Sequence, residues 1–451
     1  MPVRAIASIS LIYVTRMLGL FMVLPVLMLL GQDYTGATAT TLGLALGIYG
    51  LTQAGLQIPL GMLSDLWGRR PVLVAGLLLF ILGSVVAALA ESVQWLIVGR
   101  ALQGAGAISS TLMALLSDLT PPQHRTRAMM VVGISIGLSF SLAMVLGPLV
   151  AEVWGLSGIF VFTAGLALAS MVLVFTLPEP QRLSNNGYQS WQAAEMLGVL
   201  QQPALWTLNI GVFCLHAVLA AMFLLLPLRL SALDFSLGQQ GLIYLAMAAV
   251  ALVALGPMMG QSERRHRPKA MLLLAQVLLI IALISLPFID GWLMTTLVVM
   301  ALFFIGFNFL EASLPSWLSR LAPPRQRGTA MGVFSTAQFL GAAAGGGLGG
   351  LALDTGGVSL LIGCALLFVS IWFILTAIAA PPPLTRALIL SAHELTGGRA
   401  QLAAWADRLS ELDGVLDVHV STQDDALVLR VSSVEFDPAT LDVARKQKPT
   451  D

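Results

Sequence analysis

The stretch LSDLTPPQHRTRAM at residues 116–129 is repeated as LSRLAPPRQRGTAM at residues 318–331. The same register continues through the following pairs: Pro121 and Pro323, Pro122 and Pro324, Arg125 and Arg327, Gly147 and Gly349, Gly155 and Gly357. A repeat of this extent predicts two homologous halves that follow one another in the chain. Because a duplicated bundle would suit a transporter or a channel alike, the repeat predicts architecture rather than activity.

The composition indicates a protein that lies within a membrane. Of the 451 residues, 57% are hydrophobic and only 10% are charged, and the mean hydropathy is +0.88. Apolar runs of roughly 20 residues, the length that crosses a bilayer, recur up to about residue 380. The runs are continuous rather than alternating, which predicts helices. The sequence therefore predicts an all-α polytopic membrane protein with about twelve transmembrane helices in two six-helix halves.

Changes in composition divide the chain into four predicted parts. The first six-helix half covers residues 1–177, and the second covers residues 204–380. A polar linker at residues 178–203 joins them, and its segment 191–200 would be either a surface helix or unstructured. After three consecutive prolines the apolar runs end, so residues 384–447 are predicted to form a small soluble domain.

This C-terminal part alternates strand-like and helix-like stretches. Strands are predicted at residues 386–392, 415–421 and 426–432, and helices at residues 401–412 and 438–445. Asp437 and Pro438 suit the cap and first turn of the second helix. The order β-α-β-β-α predicts a ferredoxin-like α+β domain. Such a domain could self-associate, bind a ligand or dock on the membrane part to regulate it.

Basic residues fall in alternate gaps between the apolar runs, which predicts the orientation in the membrane. The basic gaps contain Arg69, Arg70, Arg125, Arg127, Arg182, Arg264, Lys269, Arg320, Arg325 and Arg327. The intervening gaps contain Asp33, Glu91, Glu152, Asp234, Asp290 and Asp354. By the positive-inside rule the basic gaps are cytoplasmic, and an even number of crossings places both termini there as well.

One basic gap carries a motif of its own, GMLSDLWGRRP at residues 61–71. Its glycines allow close helix approach and a tight turn. Asp65 can face the positive N-terminal end of the eleventh predicted apolar helix, near Gly328 and Thr329, in a contact that forms and breaks. Asp118, at the end of the fourth predicted apolar helix, would bridge locally to Arg125 or Arg127. The predicted gating loop comprises Gly61, Asp65, Gly68, Arg69 and Arg70.

Ionisable side chains inside apolar helices are a second signal, because burying a charge is costly unless it is paired or faces water. Four of them lie on predicted helices 1, 4, 7 and 10: Arg16, Arg100, His216 and Glu311. Glu311 could carry a proton together with Arg100 and His216, or it could form a fixed bridge with Asn308. His216 could relay protons or simply hydrogen-bond a backbone carbonyl. The predicted substrate cavity comprises Arg16, Gln103, Asn209, Asn308 and Gln338.

The loop at residues 61–71, the segment GRALQGAGAI at residues 99–108 and the parallel repeat resemble the major facilitator superfamily of secondary transporters. One departure is Leu66, which stands where the family usually has a basic residue. The resemblance implies a cavity lined by helices 1, 4, 7 and 10 and halves that rock about a midplane site. It also implies a multi-pass protein of the bacterial inner membrane.

Helix 5 carries Gly147 and Pro148, as in the proton-coupled drug antiporters of that family, but Ala151 and Glu152 replace the closing glycines of their motif. The antiporter motif is therefore degenerate. The leading hypothesis is proton-coupled antiport that exports a small molecule, which this motif favours but does not establish. Proton-coupled uptake by symport remains an alternative. So does a non-transporting membrane sensor that uses the C-terminal domain.

Other classes of function find little support. The sequence contains no nucleotide-binding GxxxxGK[ST] loop and no Ser-His-Asp signature or metal-ligand spacing. Its two cysteines, Cys214 and Cys364, both lie in apolar runs. The chain is predicted not to be an enzyme and to need no cofactor, metal or nucleic acid. The expected partners are a small-molecule substrate, protons and the lipid bilayer.

Overall fold

The computed structural model describes residues 3–120, 122–178, 202–288, 292–322, 327–379, 385–391, 395, 401–421, 426–432 and 436–441. Two compact units are present. One comprises Met1–Ser262 and Lys269–Ala380, and the other comprises Glu263–Pro268 and Pro381–Asp451. The predicted surface helix at residues 191–200 lies outside the described residues.

Long apolar helices build the membrane part. The first half contains α1 Val3–Phe21, α2 Leu27–Leu30, α3 Ala39–Trp67, α4 Arg69–Ala88, α5 Val93–Ala105, α6 Ser109–Leu119 and α7 Pro122–Thr176. The second half contains α8 Pro203–Ser231, α9 Leu237–Arg264, α10 Pro268–Ser285, α11 Leu293–Leu321 and α12 Arg327–Ile378. Apolar residues cover every side of the longest helices, as expected where helices face both one another and lipid.

Glycines interrupt the two longest helices at matching points of the repeat. α7 is non-helical at Gly155, with φ 64°, and α12 is non-helical at Gly357, with φ 66°. A positive φ suits glycine because it has no Cβ. The same two glycines coincide in the sequence repeat, so the two halves change direction at equivalent positions.

Within the described residues, eight helices are long and apolar enough to cross a membrane. Two of them, residues 131–176 and 328–378, are 46 and 51 residues long and contain the glycine breaks. α3 is 29 residues long but is not among the eight. α5 and α6 are shorter helices separated by a break at residues 106–108. The fold is that of a polytopic helical membrane protein.

The second unit contains a three-stranded antiparallel sheet and a helix. The strands are β1 Thr385–Ser391, β2 Val415–Ser421 and β3 Ala426–Ser432, in the order β1-β3-β2, and the helix is α13 Leu402–Ser410. β1 pairs with β3 without interruption from Thr385 opposite Ser432 to Ser391 opposite Ala426. The β2–β3 pairing has an irregularity between Val415 and Asp417.

Alternating residues of β3 and one face of α13 form the core of this unit. Trp405 and Leu409 of α13 and Leu427, Leu429 and Val431 of β3 are completely buried. The three predicted strands are present, and β1 begins and ends one residue earlier than predicted. The Ala439 amide donates to Asp437 Oδ1 at 2.9 Å, as the predicted cap requires. Of the second predicted helix, residues 438–445, the part after residue 441 lies outside the described residues.

Candidate functional site

The predicted gating loop forms a tight turn between α3 and α4. Gly68 has φ 101°, and its amide donates to the Ser64 carbonyl at 3.1 Å, which closes the last turn of α3. Gly61 lies against α6, where a Cβ would come within 3.1 Å of Ser110 Oγ. The two glycines therefore serve the close approach and the turn for which the sequence predicted them.

Arg69 links three helices at this end of the bundle. Its guanidinium is ion-paired with Asp65 of α3 and donates from Nε to Asp118 Oδ2 of α6 at 2.9 Å. It also donates from Nη1 to Ser64 Oγ at 2.7 Å. Charge-assisted bonds of this kind are stronger than those between neutral groups. The loop thus joins α3, α4 and α6 within the first half.

Two further contacts involve residues of the same network. Arg70 donates from Nη2 to the Leu177 carbonyl at 2.8 Å, next to the end of α7. Asp118 pairs with Arg69 across helices. The side chains of Arg125 and Arg127 lie outside the described residues, so the predicted local bridge from Asp118 to them stays a prediction.

The first-half cluster comprises Tyr13, Arg16, Gln53 and Ser109. Arg16 donates to the Gly106 carbonyl and, from Nη2, to Gln53 Oε1 at 3.0 Å. Gln53 Nε2 donates to Ser109 Oγ at 3.3 Å, and the Tyr13 hydroxyl donates to the Ser109 carbonyl at 2.5 Å. The break between α5 and α6 frees a carbonyl for this use. All four side chains are buried, so hydrogen bonds hold the permanent charge inside the bundle.

Arg100 and Gln103 form a separate set of contacts between α3, α4 and α5. The Arg100 guanidinium lies 4.7 Å from the centre of the Tyr49 ring. It donates to the Ala45 carbonyl at 3.3 Å and to Gln103 Oε1 at 2.9 Å. Gln103 Nε2 donates to Ser84 Oγ at 2.8 Å. Both predicted residues are buried in helix packing and are hydrogen-bonded there.

The second-half cluster brings together His216 of α8, Glu311 of α11 and Gln338 of α12. Gln338 Nε2 donates to His216 Nε2 at 2.8 Å and to Glu311 Oε1 at 3.4 Å. Glu311 Oε2 lies 3.6 Å from His216 Nε2. These three side chains come from distant parts of the sequence, and all three were predicted site residues. The structure places them within hydrogen-bonding reach of one another.

The contacts of His216 fix the form of its ring. Its Nδ1 donates to the Val212 carbonyl at 3.1 Å, one turn earlier on α8. The other nitrogen, Nε2, is then the acceptor of a neutral imidazole, and it receives the Gln338 amide proton. The Glu311 side chain is 33% exposed, whereas that of His216 is 5% exposed. The carboxyl group is therefore partly exposed, whereas the imidazole is buried beside the carboxyl and the amide.

Two predicted cavity residues lie outside these clusters. Asn308 donates from Nδ2 to the Phe304 carbonyl at 2.8 Å on its own helix. The buried Oδ1 of Asn209 has no hydrogen-bond partner among the described residues. Their assignment to a substrate cavity stays a prediction.

An aromatic cluster beside His216 was not predicted from the sequence. The ring of Phe307 lies 6.0 Å from the imidazole and 5.6 Å from the ring of Phe140. Phe140 in turn meets Phe21 of α1 edge-on at 5.0 Å. The Phe140–Phe307 contact joins the two halves next to the second-half cluster. Nothing in the sequence marks these rings among 19 phenylalanines, because their significance depends on which helices meet.

The halves approach closely near Asp354, which we call the Asp354 end of the bundle. A Cβ at Gly47 of α3 would lie 2.6 Å from the Ala343 carbonyl oxygen of α12. In a second pair of helices from different halves, a Cβ at Gly241 of α9 would lie 3.2 Å from the Val145 carbonyl oxygen of α7. Both helix pairs therefore pack backbone against backbone, which only small residues permit.

The same helices are less crowded toward the other end, which we call the Arg69 end. Around Gly133 and Gly137 of α7, and around Gly256 and Gly260 of α9, no atom of a neighbouring element within the described residues would touch an added Cβ. Gly328, near the start of α12, is equally open. The contact between the halves is thus tight at the Asp354 end and loose at the Arg69 end.

No group of three or more His, Cys, Asp or Glu side chains suited to a metal ion occurs within the part of the chain that the structure describes. The polar groups of the site instead hydrogen-bond to one another. They lie inside a bundle of membrane-spanning helices built from two similar halves. This combination is typical of secondary transporters.

Comparison with known proteins agrees with this class. Residues 9–346 match the Major Facilitator Superfamily. The chain is 38% identical to the inner membrane transport protein YajR of Escherichia coli K12 over 434 residues, which cover 95% of this chain and 94% of that protein. It is 30% identical to the multidrug resistance protein MdtH of Aeromonas salmonicida over 321 residues, which cover 70% of this chain and 79% of MdtH.

Solved structures share the fold at low identity. A bacterial homologue of the human lysosomal transporter Spinster has a TM-score of 0.67 at 14% identity, covering 82% of this chain and 95% of that one. A D-xylose-proton symporter has a TM-score of 0.64 at 16% identity, covering 84% of this chain and 98% of that one. The chain belongs to the major facilitator superfamily, whose members are transporters rather than enzymes.

Proposed function

We propose that the chain is a proton-coupled secondary transporter that exports a small molecule in exchange for protons. The observation that carries this proposal is the second-half cluster of His216, Glu311 and Gln338. It combines a partly exposed carboxyl, a buried imidazole and an amide that bonds to both. Such a cluster can take up a proton from water and change its internal bonding as it does so.

Protonation rearranges this cluster because each group has a fixed donor capacity. In the neutral state His216 Nε2 accepts from Gln338. A proton on Nε2 turns that atom into a donor, so the Gln338 amide hydrogen must leave it. The imidazolium then attracts Glu311 Oε2, 3.6 Å away. A proton on Glu311 instead removes that attraction and makes the carboxyl a donor.

The rearrangement can affect the contact between the halves through α12. Gln338 precedes Phe339 on α12, and a Cβ at Gly50 of α3 would lie 2.6 Å from the Phe339 carbonyl oxygen. The protonation state of the cluster therefore acts on a helix that packs directly against the first half. Under this proposal the halves rock about the cluster and expose it alternately to the two sides of the membrane. Of the predicted cavity residues, Asn209, Asn308 and Gln338 would line the substrate path, whereas Arg16 and Gln103 are buried in contacts within the first half.

Orientation and helix number are part of the same proposal. The positive-inside rule places the Arg69 end and both termini in the cytoplasm. Dividing α7 and α12 at their glycine breaks, and adding α3 and the α5–α6 pair to the spans, supports about twelve crossings. The bacterial inner membrane is proposed because the relative YajR is an inner membrane transport protein.

The division of the chain follows the sequence prediction. We propose six-helix halves at residues 1–177 and 204–380, a linker at residues 178–203 and a cytoplasmic domain at residues 384–447. That domain is proposed to regulate transport by docking or self-association.

Export by antiport is favoured by one relative. MdtH, which shares 30% identity, is described as a multidrug resistance protein. Uptake by symport uses the same cluster and is the second candidate, since the carboxyl and the imidazole suit either direction of proton flow. A sensor without transport is the third, because the C-terminal domain could bind a ligand.

Everted membrane vesicles with an acidified lumen separate the three candidates. A panel of small organic molecules is added outside, and the lumenal pH is followed with a fluorescent dye. Antiport predicts alkalinisation on addition of a substrate, whereas symport predicts further acidification. If no compound in the panel changes the lumenal pH, the sensor hypothesis remains and the transport proposal is contradicted. Vesicles without the protein provide the control.

A further inference from the structure

Asp354 of α12 caps the first turn of α3 in the other half. Its Oδ1 accepts from the Ala39 amide at 3.0 Å, and its Oδ2 accepts from the Thr40 amide at 2.7 Å. The first amides of a helix have no partner within the helix, and this end carries a partial positive charge. The carboxylate of one half therefore satisfies the helix end of the other half.

Glu152 occupies the equivalent place in the first half. The repeat register that pairs Gly155 with Gly357 also pairs Glu152 with Asp354, three residues before each break. Glu152 Oε2 lies directly against Gly238, the second residue of α9, where an added Cβ would overlap it. Each half thus directs one carboxylate to the N-terminal end of a helix in the opposite half.

The surroundings of the two acids suit contacts that break and re-form. Both side chains are exposed, so their carboxylates can be hydrated when they leave the helix ends. Asp354 lies beside a very close backbone approach between the halves, where a Cβ at Gly350 would lie 2.3 Å from the Ala39 carbonyl oxygen. Glu152 lies beside the approach of Gly241 to Val145, where the corresponding distance is 3.2 Å. Separation of the halves at this end must break both contacts together, because each contact joins one half to the other.

We propose that Asp354 and Glu152 form a pair of symmetry-related latches that hold the Asp354 end of the transporter closed. The proposal rests on the proposed alternating access, in which this end faces outward. Opening it withdraws each carboxylate from its helix end. The predicted gating loop, which contains Asp65, would then act at the Arg69 end. Contacts between a carboxylate and the N-terminal end of a helix would therefore alternate between the two ends of the bundle.

The test measures the distance between spin labels on the Asp354 end of purified, substrate-free protein. Leu89→Cys and Ala232→Cys carry the labels, because both positions are exposed and follow helices of different halves. Cys214 and Cys364 are replaced by alanine. The wild-type latch predicts a dominant short distance. Asp354→Asn with Glu152→Gln is expected to lower the ratio of closed to open populations by about 3- to 30-fold.

The matched control is Asp33→Asn with Asp234→Asn, which removes two exposed carboxylates from the same end. It is expected to leave the distances unchanged. Unchanged distances in the Asp354→Asn, Glu152→Gln protein, or an equal shift in the control, would overturn the proposal. If that double variant does not elute as a folded protein, Asp354→Asn alone is measured, with a smaller shift expected. The distances require no transport, so a failed flux assay and a failed latch are distinguishable.

Discussion

The two halves place different chemistry at the same position of the repeat. The register that pairs Leu116 with Leu318 puts Ser109 opposite Glu311. Ser109 belongs to a buried cluster around the permanent charge of Arg16, in which each bond is to a neutral group. Glu311 belongs to a cluster with His216, in which two of the three members can gain or lose a proton.

This difference assigns unlike tasks to the halves. A guanidinium held by a carbonyl and an amide keeps its charge and orientation, so the first-half cluster serves structure. The second-half cluster combines a carboxyl that is 33% exposed with a buried imidazole, and we propose that it serves coupling. Duplication supplied the framework of both halves, and later substitution at equivalent positions would account for the asymmetry.

Arg16→Leu is expected to have the largest effect, and mainly on stability. It leaves the Gly106 carbonyl and Gln53 Oε1 without their donor inside the bundle. Unsatisfied buried groups of this kind cost about 1–3 kcal/mol each. We expect a clear fall in the thermal midpoint of the detergent-solubilised protein. Arg16→Lys is the matched variant and should lose less. A melting temperature equal to wild type in Arg16→Leu would contradict the structural role.

His216→Ala is expected to reduce proton-driven flux by more than the accompanying loss of stability explains, so flux is compared per amount of folded protein. It removes the buried group that accepts from Gln338 and faces Glu311, so the carboxyl loses its titratable neighbour. Proton transfer by a positioned side chain contributes at least about 100-fold in enzymes, and we expect a loss of about 10-fold or more here. Proteoliposome flux at several imposed pH gradients provides the measurement. Equal flux at normal expression would remove His216 from the coupling mechanism.

Asp65→Asn is expected to weaken closure of the Arg69 end. In the conformation described here Asp65 pairs with Arg69, and the start of α12 at Gly328 is uncrowded. In the opposite conformation we expect Asp65 to face that helix end, near Gly328 and Thr329. A contact of this kind contributes about 0.3–2 kcal/mol. Transport should fall at near-normal expression, and labelling of an engineered cysteine from the cytoplasm should rise.

If neither transport nor labelling changes in Asp65→Asn, the loop has no gating role. Asp33→Asn is the matched control, because Asp33 is an exposed acid at the Asp354 end. It should alter neither quantity.

Deletion of residues 384–451 is expected to have the smallest effect. These residues belong to a compact unit with its own core around Trp405 and Leu429. The truncated chain should insert into the membrane and elute as a monodisperse protein that unfolds cooperatively on heating. Its flux should differ from that of the full chain by only a small factor. A deletion that starts at residue 360 is the contrasting variant, because it removes Trp372 from the core of the membrane part. Failure of the first truncation to insert would show that the C-terminal domain is integral to the fold.

The sequence predicted those features that depend on local pattern or on chemical rarity. Gly68 stands in a turn between charged residues, and His216 and Glu311 are rare polar groups in apolar runs. The strands at residues 415–421 and 426–432 follow directly from alternation. The turn at Gly68 and these two strands have the predicted residues, and the structure brings His216 and Glu311 close together, whereas their roles stay predictions.

Features that depend on which helices meet could not be predicted in the same way. The break after Ala105 frees a carbonyl for Arg16, yet the surrounding residues contain no proline that would mark it. The partnership of Arg69 with Asp118 joins α4 to α6, whereas sequence proximity favoured Arg125 or Arg127. The contact of Phe140 with Phe307 depends on the packing of α7 against α11. Periodicity indicates that a residue is buried, but not its neighbour from a distant helix.

The central claim is that Glu311 carries the proton, and Glu311→Gln tests it most directly. The amide keeps the shape and hydrogen bonding of the side chain but cannot titrate. In proteoliposomes with a substrate identified in the vesicle assay, we predict that substrate exchange continues while an imposed pH gradient no longer drives net flux. Glu91→Gln, an exposed acid away from the cluster, should behave as wild type. Gradient-driven flux at the wild-type rate in a well-expressed Glu311→Gln protein would contradict the account.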